Sequence, residues 1–329
     1  MNKETLVSII NQALEEENTV KEMSMQLDAV SNIPHGDMPG DIIKIEDTHI
    51  SKAKTIFPNM LKEIKTISKE KQTAKIVVSV CGGSGVGKSE IASLLSYMLC
   101  KIGINCYTLS GDNYPHRIPM YNDAERLRIF RSSGVRELVA ENLLDTGVVA
   151  TLKKIQTKED DANLKYAEVT SDEYYSWFKI YMDGAINGLK SYLGTNNEIN
   201  FAEVTDIIAQ FKTGINEIYL KRMGRNDVDL WYDKVDFTDI NVLIVEWTHG
   251  NSNNFEGVDI PILLNSTPEE TMAHRRARNR DGKVDSAFTT RILEIEQGML
   301  ISQAHKAKII VAKTGELLTY AQYKKIMED

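Results

Sequence analysis

CGGSGVGKSEIASLL, Cys81 to Leu95, follows directly on KIVVSV at 75–80. The first run is short, apolar and β-branched, as a buried strand reads, and the second passes from glycines into apolar residues at helical spacing. Strand, glycine loop, helix is the simplest account, and within it GGSGVGKS (82–89) satisfies the pattern GxxxxGK[ST]. Each position then has a physical task. Gly82, Gly83, Gly85 and Gly87, with Ser84 and Val86 between them, let the main chain fold tightly enough for its N–H groups to converge on phosphate oxygens. The helix that follows adds partial positive charge at its amino end. Lys88 is expected to reach the β and γ phosphates and Ser89 to place its hydroxyl on Mg²⁺, so the motif calls for a nucleoside triphosphate with Mg²⁺ and does not by itself separate kinases, GTPases and motor ATPases. A plain glycine turn would not need Lys-Ser at this offset.

Beyond this unit the same texture recurs. INCYTLSGD (104–112), INVLIVEWTHG (240–250), VDIPILLNSTPEE (258–270) and AKIIVAKTGE (307–316) each read as a strand running into a polar loop. Five buried strands separated by helices predict an α/β sandwich with a mainly parallel five-stranded sheet covered on both faces, the architecture of phosphate-loop nucleotide hydrolases. Residues 1–70 read as a helical N-terminal extension: an amphipathic start, the turn-rich SNIPHGDMPGD (31–41), and a second helical pattern from Ile56 to Lys71. The expected phosphate-loop domain is 71–329, with a mostly helical insertion at about 150–235 and an arginine-rich lid at about 268–285. Trp177, Tyr174, Tyr175, Phe178 and Tyr181 read as the packing face of an inserted helix rather than a base-stacking platform.

The loops after the later strands carry the chemistry. Asp112, in SGDNYPHR, falls at the carboxyl edge of the expected sheet, the side on which ligands bind in open α/β folds. A carboxylate there can accept a proton from a hydroxyl attacking the γ phosphate, though Asp-Asn-Tyr is also ordinary turn chemistry. Tyr114, His116 and Arg117 follow closely enough to line an acceptor pocket. Glu246 ends the third strand, where an acid holds Mg²⁺ directly or through water, or merely caps the loop. In STPEETMAHRRARNRDGKVD (266–285), Arg275, Arg276, Arg278 and Arg280 crowd six positions, suited to clamping migrating phosphate charge or to forming a solvated helix face. No Asn-Lys-x-Asp guanine-reading sequence occurs, which argues against a GTPase switch.

Composition narrows the partners. The 47 acidic residues exceed the 39 basic ones, a formal charge of −8, which disfavours nonspecific attraction to nucleic acid or to anionic membranes. Cys81, Cys100 and Cys106 show no CxxC spacing, as expected of reduced thiols in the cytoplasm. Neither a signal peptide nor a membrane span is read at the amino terminus. His249 and His305 have no partners at zinc-ligand spacing.

In order along the chain, GGSGVGKS, GDNY, VLIVEW, HRRARNRD and EIEQGMLISQAHKAKIIV resemble the uridine kinase, phosphoribulokinase and pantothenate kinase group of phosphate-loop kinases over about residues 75–313. The resemblance implies Asp112 as base, Glu246 as the acid assisting the metal, and Arg276 and Arg280 as lid arginines on phosphate. It also makes Arg222 and Arg225 acceptor-binding candidates. Two departures stand out: over a hundred residues separate the second and third strands, and EWTHGNS replaces a Glu-Gly continuation. SGDNYPHR is in addition similar to the Asp-Gly-Asp-Asn stretch of adenylylsulfate kinases. The implied function is ATP-dependent phosphorylation of a hydroxyl on a nucleoside, a sugar phosphate or a related metabolite. The alternatives are an adenylylsulfate kinase-like phosphotransferase and a nucleotide-dependent regulatory protein. Homo-oligomerisation is left open.

Overall fold

The structure is a computed structural model that describes residues 1–15, 33, 35–168, 176–226, 228–278 and 286–328. The chain divides into two compact units: Met1–Tyr114 with Phe201–Thr267 and Leu300–Asp329, and Pro115–Asn200 with Pro268–Met299.

In the first unit, helices α1 (Lys3–Glu15) and α2 (Asp47–Lys71) precede strand β1 (Ile76–Gly82), helix α3 (Lys88–Lys101) and strand β2 (Cys106–Ser110). Helix α4 (Phe201–Thr213) follows, then β3 (Glu217–Met223), β4 (Leu230–Asp236), β5 (Val242–Glu246), β6 (Ile260–Leu264), β7 (Ile309–Val311) and β8 (Leu317–Leu318). The main sheet runs β2-β5-β1-β6-β7-β8 and is parallel except for β8, which pairs antiparallel with β7. The five expected strands are present; the sixth is two residues long, too short for a periodic signal. Every residue of β1 and β5 is buried, which is why both read as unbroken apolar runs. Register sets the site: Val80 and Ser110 both pair with Glu246, so the ends of β1, β5 and β2 lie level at one sheet edge.

Helices α1 and α2 do not stand apart from the first unit. The apolar stripe of α1 (Leu6, Ile10, Ala13) and that of α2 (Ile56, Phe57, Met60, Leu61, Ile64) share one core with β1, β5 and β6. An amphipathic helix must cover its stripe, and here the sheet-and-helix layer does so. Helix α2 begins at Asp47, earlier than the expected Ile56, because Glu46 and His49 form a reciprocal capping box at its start.

The stretch at about 150–235, expected to be mostly helical, holds a two-stranded antiparallel hairpin, β3–β4. Ile218 and Leu220 are buried on alternate positions of β3, a period of two that charged and aromatic neighbours obscure.

The second unit is helical and begins at Pro115, upstream of the expected insertion. The helices Pro119–Ala140 and Phe178–Lys190 approach closely because small residues face each other: a Cβ on Gly134 would lie 2.6 Å from the Tyr181 ring, and one on Gly188 would lie 2.0 Å from Ser133 Oγ. Trp177, Phe178 and Tyr181 are buried among Phe130, Met182 and Leu189, the packing role expected of them. Tyr174 and Tyr175 lie outside the described residues. A buried ion pair, Arg126 with Glu198, closes this unit; Glu198 also accepts hydrogen bonds from Asn122 Nδ2 and from the Gly194 amide. Among the described residues, no helix is long and apolar enough to cross a membrane.

Candidate active site

The glycine loop joins β1 to α3 through conformations that side chains resist. Gly82, Gly85 and Gly87 have φ of 154°, 78° and 93°. Space is as restrictive as conformation: a Cβ on Gly82 would lie 2.6 Å from the Leu264 carbonyl oxygen, and one on Gly87 would lie 2.8 Å from the edge of the His49 ring. Gly87 is the N-cap of α3, so Lys88 and Ser89 open the helix where its unpaired amides gather. The Lys88 ammonium folds back and donates to the Gly83 carbonyl at 3.1 Å. Cys81, beneath the loop, is fully buried, and burial pushes its thiol up to about 12.

Glu246 is the acid of this site. It is buried at the end of β5; the Ser110 hydroxyl donates to its Oε1 at 2.7 Å and the Ser89 hydroxyl to its Oε2 at 3.2 Å. Burial, then the nearby charge of Asp112, pushes its pKa up to about 8, against the pull of Lys88 and the Ser110 hydrogen bond; Asp41 pushes the same way as Asp112. Asp112 itself is exposed, on the 3₁₀ turn Gly111–Asn113 that follows β2. That turn is fixed by a tight fit, since a Cβ on Gly111 would sit 2.0 Å from the Trp247 ring.

Lys88, Ser89, Glu246 and Asp112 thus belong to one unit and one sheet edge. The other sequence candidates fare differently. Tyr114 is fully buried, and its hydroxyl has no hydrogen-bond partner among the described residues, so it lies in the wall of the fold rather than open to an acceptor. Arg222 is also buried: it pairs with Asp37 at 2.8 Å and Asp233 at 3.0 Å and donates to the Tyr107 hydroxyl, which turns an expected acceptor ligand into a structural tie. Arg225 is exposed beyond the end of β3. In the second unit, the His116 ring nitrogen Nε2 lies 2.9 Å from the Asn196 carbonyl, and Arg117 donates to the Tyr192 hydroxyl. Arg276 is exposed on the helix Pro268–Arg278, while its neighbour Arg275 is buried and donates to the Pro268 carbonyl and the Thr271 hydroxyl. Arg280 lies outside the described residues.

Three functional candidates escaped the sequence reading: Asp37, Asp41 and His49, all from before β1. Asp37 accepts from the Ser110 amide and Asn113, Asp41 acts on Glu246, and His49 lies against Gly87. For Asp37 and Asp41 the signal available was HGDMPGD (35–41), an acidic glycine-rich turn; His49 carried none.

These residues fit the groups that the motif calls for. The loop backbone takes a form only glycines allow, and a buried acid hydrogen-bonded to the loop serine suits Mg²⁺, which binds through one or two carboxylates together with substrate phosphates. Ser89 and Glu246 would hold the ion.

Residues 74–192 match the adenylylsulphate kinase family. Over 243 residues the chain is 36% identical to the bifunctional alpha-galactosidase/sucrose kinase AgaSK of Mediterraneibacter gnavus, covering 74% of this chain and 20% of that protein. The chain therefore spans about a fifth of that relative's length. Among solved structures, a putative fructose transport system kinase from Silicibacter sp. TM1040 aligns with a TM-score of 0.43 and 12% identity, over 78% of this chain and 94% of that one. A possible uridine kinase from Bacillus stearothermophilus aligns at 0.34 and 13%, over 77% and 98%. The likeness to adenylylsulphate kinases thus covers the phosphate loop, the Asp112 turn and the helices up to residue 192.

Proposed function

We propose that the chain is an ATP-dependent kinase that transfers the γ-phosphate to a hydroxyl of a small metabolite, with saccharides such as sucrose as the first acceptor class. One arrangement carries this reading: an exposed carboxylate, Asp112, beside a buried acid, Glu246, that is hydrogen-bonded to the serine of the phosphate loop. The preference for saccharides rests on the 36% identity to a protein named in part as a sucrose kinase.

In this reading Asp112 accepts the proton of the acceptor hydroxyl, and its exposure leaves it open to an incoming molecule. Lys88 leaves the Gly83 carbonyl to neutralise the transferring group. Ser89 and Glu246 orient the metal side of the site; Mg²⁺, when bound there, supplies charge neutralisation at the phosphate oxygens. Most of the rate gain then comes from positioning and electrostatics. Arg276 and Arg280 as phosphate contacts, and His116, Arg117 and Arg225 at the acceptor, are proposed from the sequence alone. A second reading, adenylylsulfate as acceptor, is favoured by the family match over residues 74–192.

The test is ADP release from ATP and Mg²⁺ with sucrose, other saccharides, nucleosides, pentose phosphates and adenylylsulfate. One class should stimulate release, and Asp112→Asn should lower the stimulated rate by about 10²–10⁴-fold while ATP still binds. ATP binding without stimulation by any acceptor would favour the regulatory reading, and stimulation by adenylylsulfate alone would favour the second.

A further inference from the structure

We infer that Asp37 is a positioning residue for phosphoryl transfer: its carboxylate ties the turn bearing Asp112 to both the N-terminal segment and the β3–β4 hairpin. The inference rests on the kinase reading above. Asp37 accepts four hydrogen bonds. Its Oδ1 takes the Ser110 amide at 2.7 Å and Asn113 Nδ2 at 3.0 Å, the two residues on either side of Gly111-Asp112. Its Oδ2 takes the Tyr107 hydroxyl at 2.9 Å and Arg222 Nη1 at 2.8 Å.

Asn113 completes the clamp by accepting from the Met223 amide at 3.0 Å, so the catalytic turn is pinned from both sides. The next hydroxyl inward, Ser110 Oγ, donates to Glu246, and a Cβ on Gly36 would lie 3.6 Å from Glu246 Oε1. The segment carrying Asp37 therefore lies against Glu246 and against the turn that bears Asp112. Burial raises the Asp37 pKa, against the pull of Arg222 and of the Ser110 and Tyr107 hydrogen bonds, and all four of its partners donate to it. Nothing in the network places Asp37 on the reacting atoms. Its effect passes through Ser110 and Asn113 to the direction in which Asp112 faces, and a displacement of about 1 Å at a reacting group can cost about 10²-fold in rate.

The experiment compares the full chain with Asp37→Asn and Asp37→Ala by three measurements: steady-state phosphorylation of sucrose, Mg·ATP affinity by calorimetry, and peptide-resolved hydrogen exchange. In Asp37→Ala, kcat should fall by about 10–100-fold with Mg·ATP affinity within about twofold, and the peptides containing the Ser110 and Met223 amides should exchange faster while β1 keeps its protection. Asp37→Asn should lie between, because an amide oxygen can still accept from Ser110 and Asn113 whereas its NH₂ meets two donors. It also supplies the reading if Asp37→Ala does not fold. Unchanged kcat in both variants overturns the inference, as does parallel loss of kcat and Mg·ATP affinity. If the wild-type chain does not phosphorylate sucrose, the saccharide reading fails separately, and exchange decides: selective loss of protection at Ser110 and Met223 supports the inference, and unchanged protection overturns it.

Discussion

Substituting Gly87 by alanine tests the phosphate loop and its buttress together. Two costs arise at one atom. Holding alanine at φ 93° costs about 1–3 kcal/mol, and its Cβ would meet the His49 ring edge at 2.8 Å. The ring cannot swing clear without loss, because its Nδ1 accepts the Glu46 amide at 3.1 Å in the cap of α2. Relieving that overlap costs a further ~1–3 kcal/mol. Gly87→Ala should therefore destabilise the chain by about 2–6 kcal/mol and weaken ATP binding by at least about tenfold. The assay is urea unfolding and ATP titration of wild type, Gly87→Ala, His49→Ala and the double variant. Removing the ring abolishes the overlap but leaves the backbone strain, so the double variant should be more stable than the sum of the single losses by about 1–3 kcal/mol. Strict additivity would show that His49 does not press on the loop, and unchanged ATP affinity in Gly87→Ala would refute the cradle.

Two further outcomes follow from buried charge. Because the folded pKa of Glu246 is raised from 4.5 to about 8, its contribution to stability is full below 4.5 and is lost as pH rises through about 8. With EDTA present, wild type should lose on the order of 2 kcal/mol relative to Glu246→Gln between pH 5 and pH 7, read by unfolding at each pH; parallel curves contradict the assignment. Glutamine is a fair stand-in for the protonated acid, since the Ser89 and Ser110 hydroxyls can each reverse their bond. In the second unit, Glu198→Ala leaves Arg126 with the exposed Asp123 and takes the acceptor from Asn122 and the Gly194 amide, and should cost about 3–5 kcal/mol in chemical denaturation; a cost below about 1 kcal/mol would mean that the pair is solvated.

The sheet and the phosphate loop were legible because both are local: a buried strand and its glycine loop carry their signal within a dozen or so residues, from Ile76 to Ser89. Glu246 and Asp112 were legible by position, as the ends of strands that register side by side. Asp37 and Asp41 were not, since neither lies in a motif and each meets its partners across the chain, Asp37 reaching Arg222 over 185 positions. Arg222 misled for the matching reason: an arginine's charge is plain in a sequence, and the two carboxylates that neutralise it are not. The hairpin was missed because β4 is almost wholly exposed, so its residues alternate without an apolar face.

The family match begins at residue 74, downstream of every residue that α2 and the acidic turn contribute. A recombinant fragment trimmed to start there would still display GGSGVGKS, yet it would lose the imidazole behind Gly87 and the carboxylate beneath the Asp112 turn. The family match marks only a part of the first unit; the residues that brace its loop and its Asp112 turn begin some forty positions earlier, at the glycine-rich turn that holds Asp37.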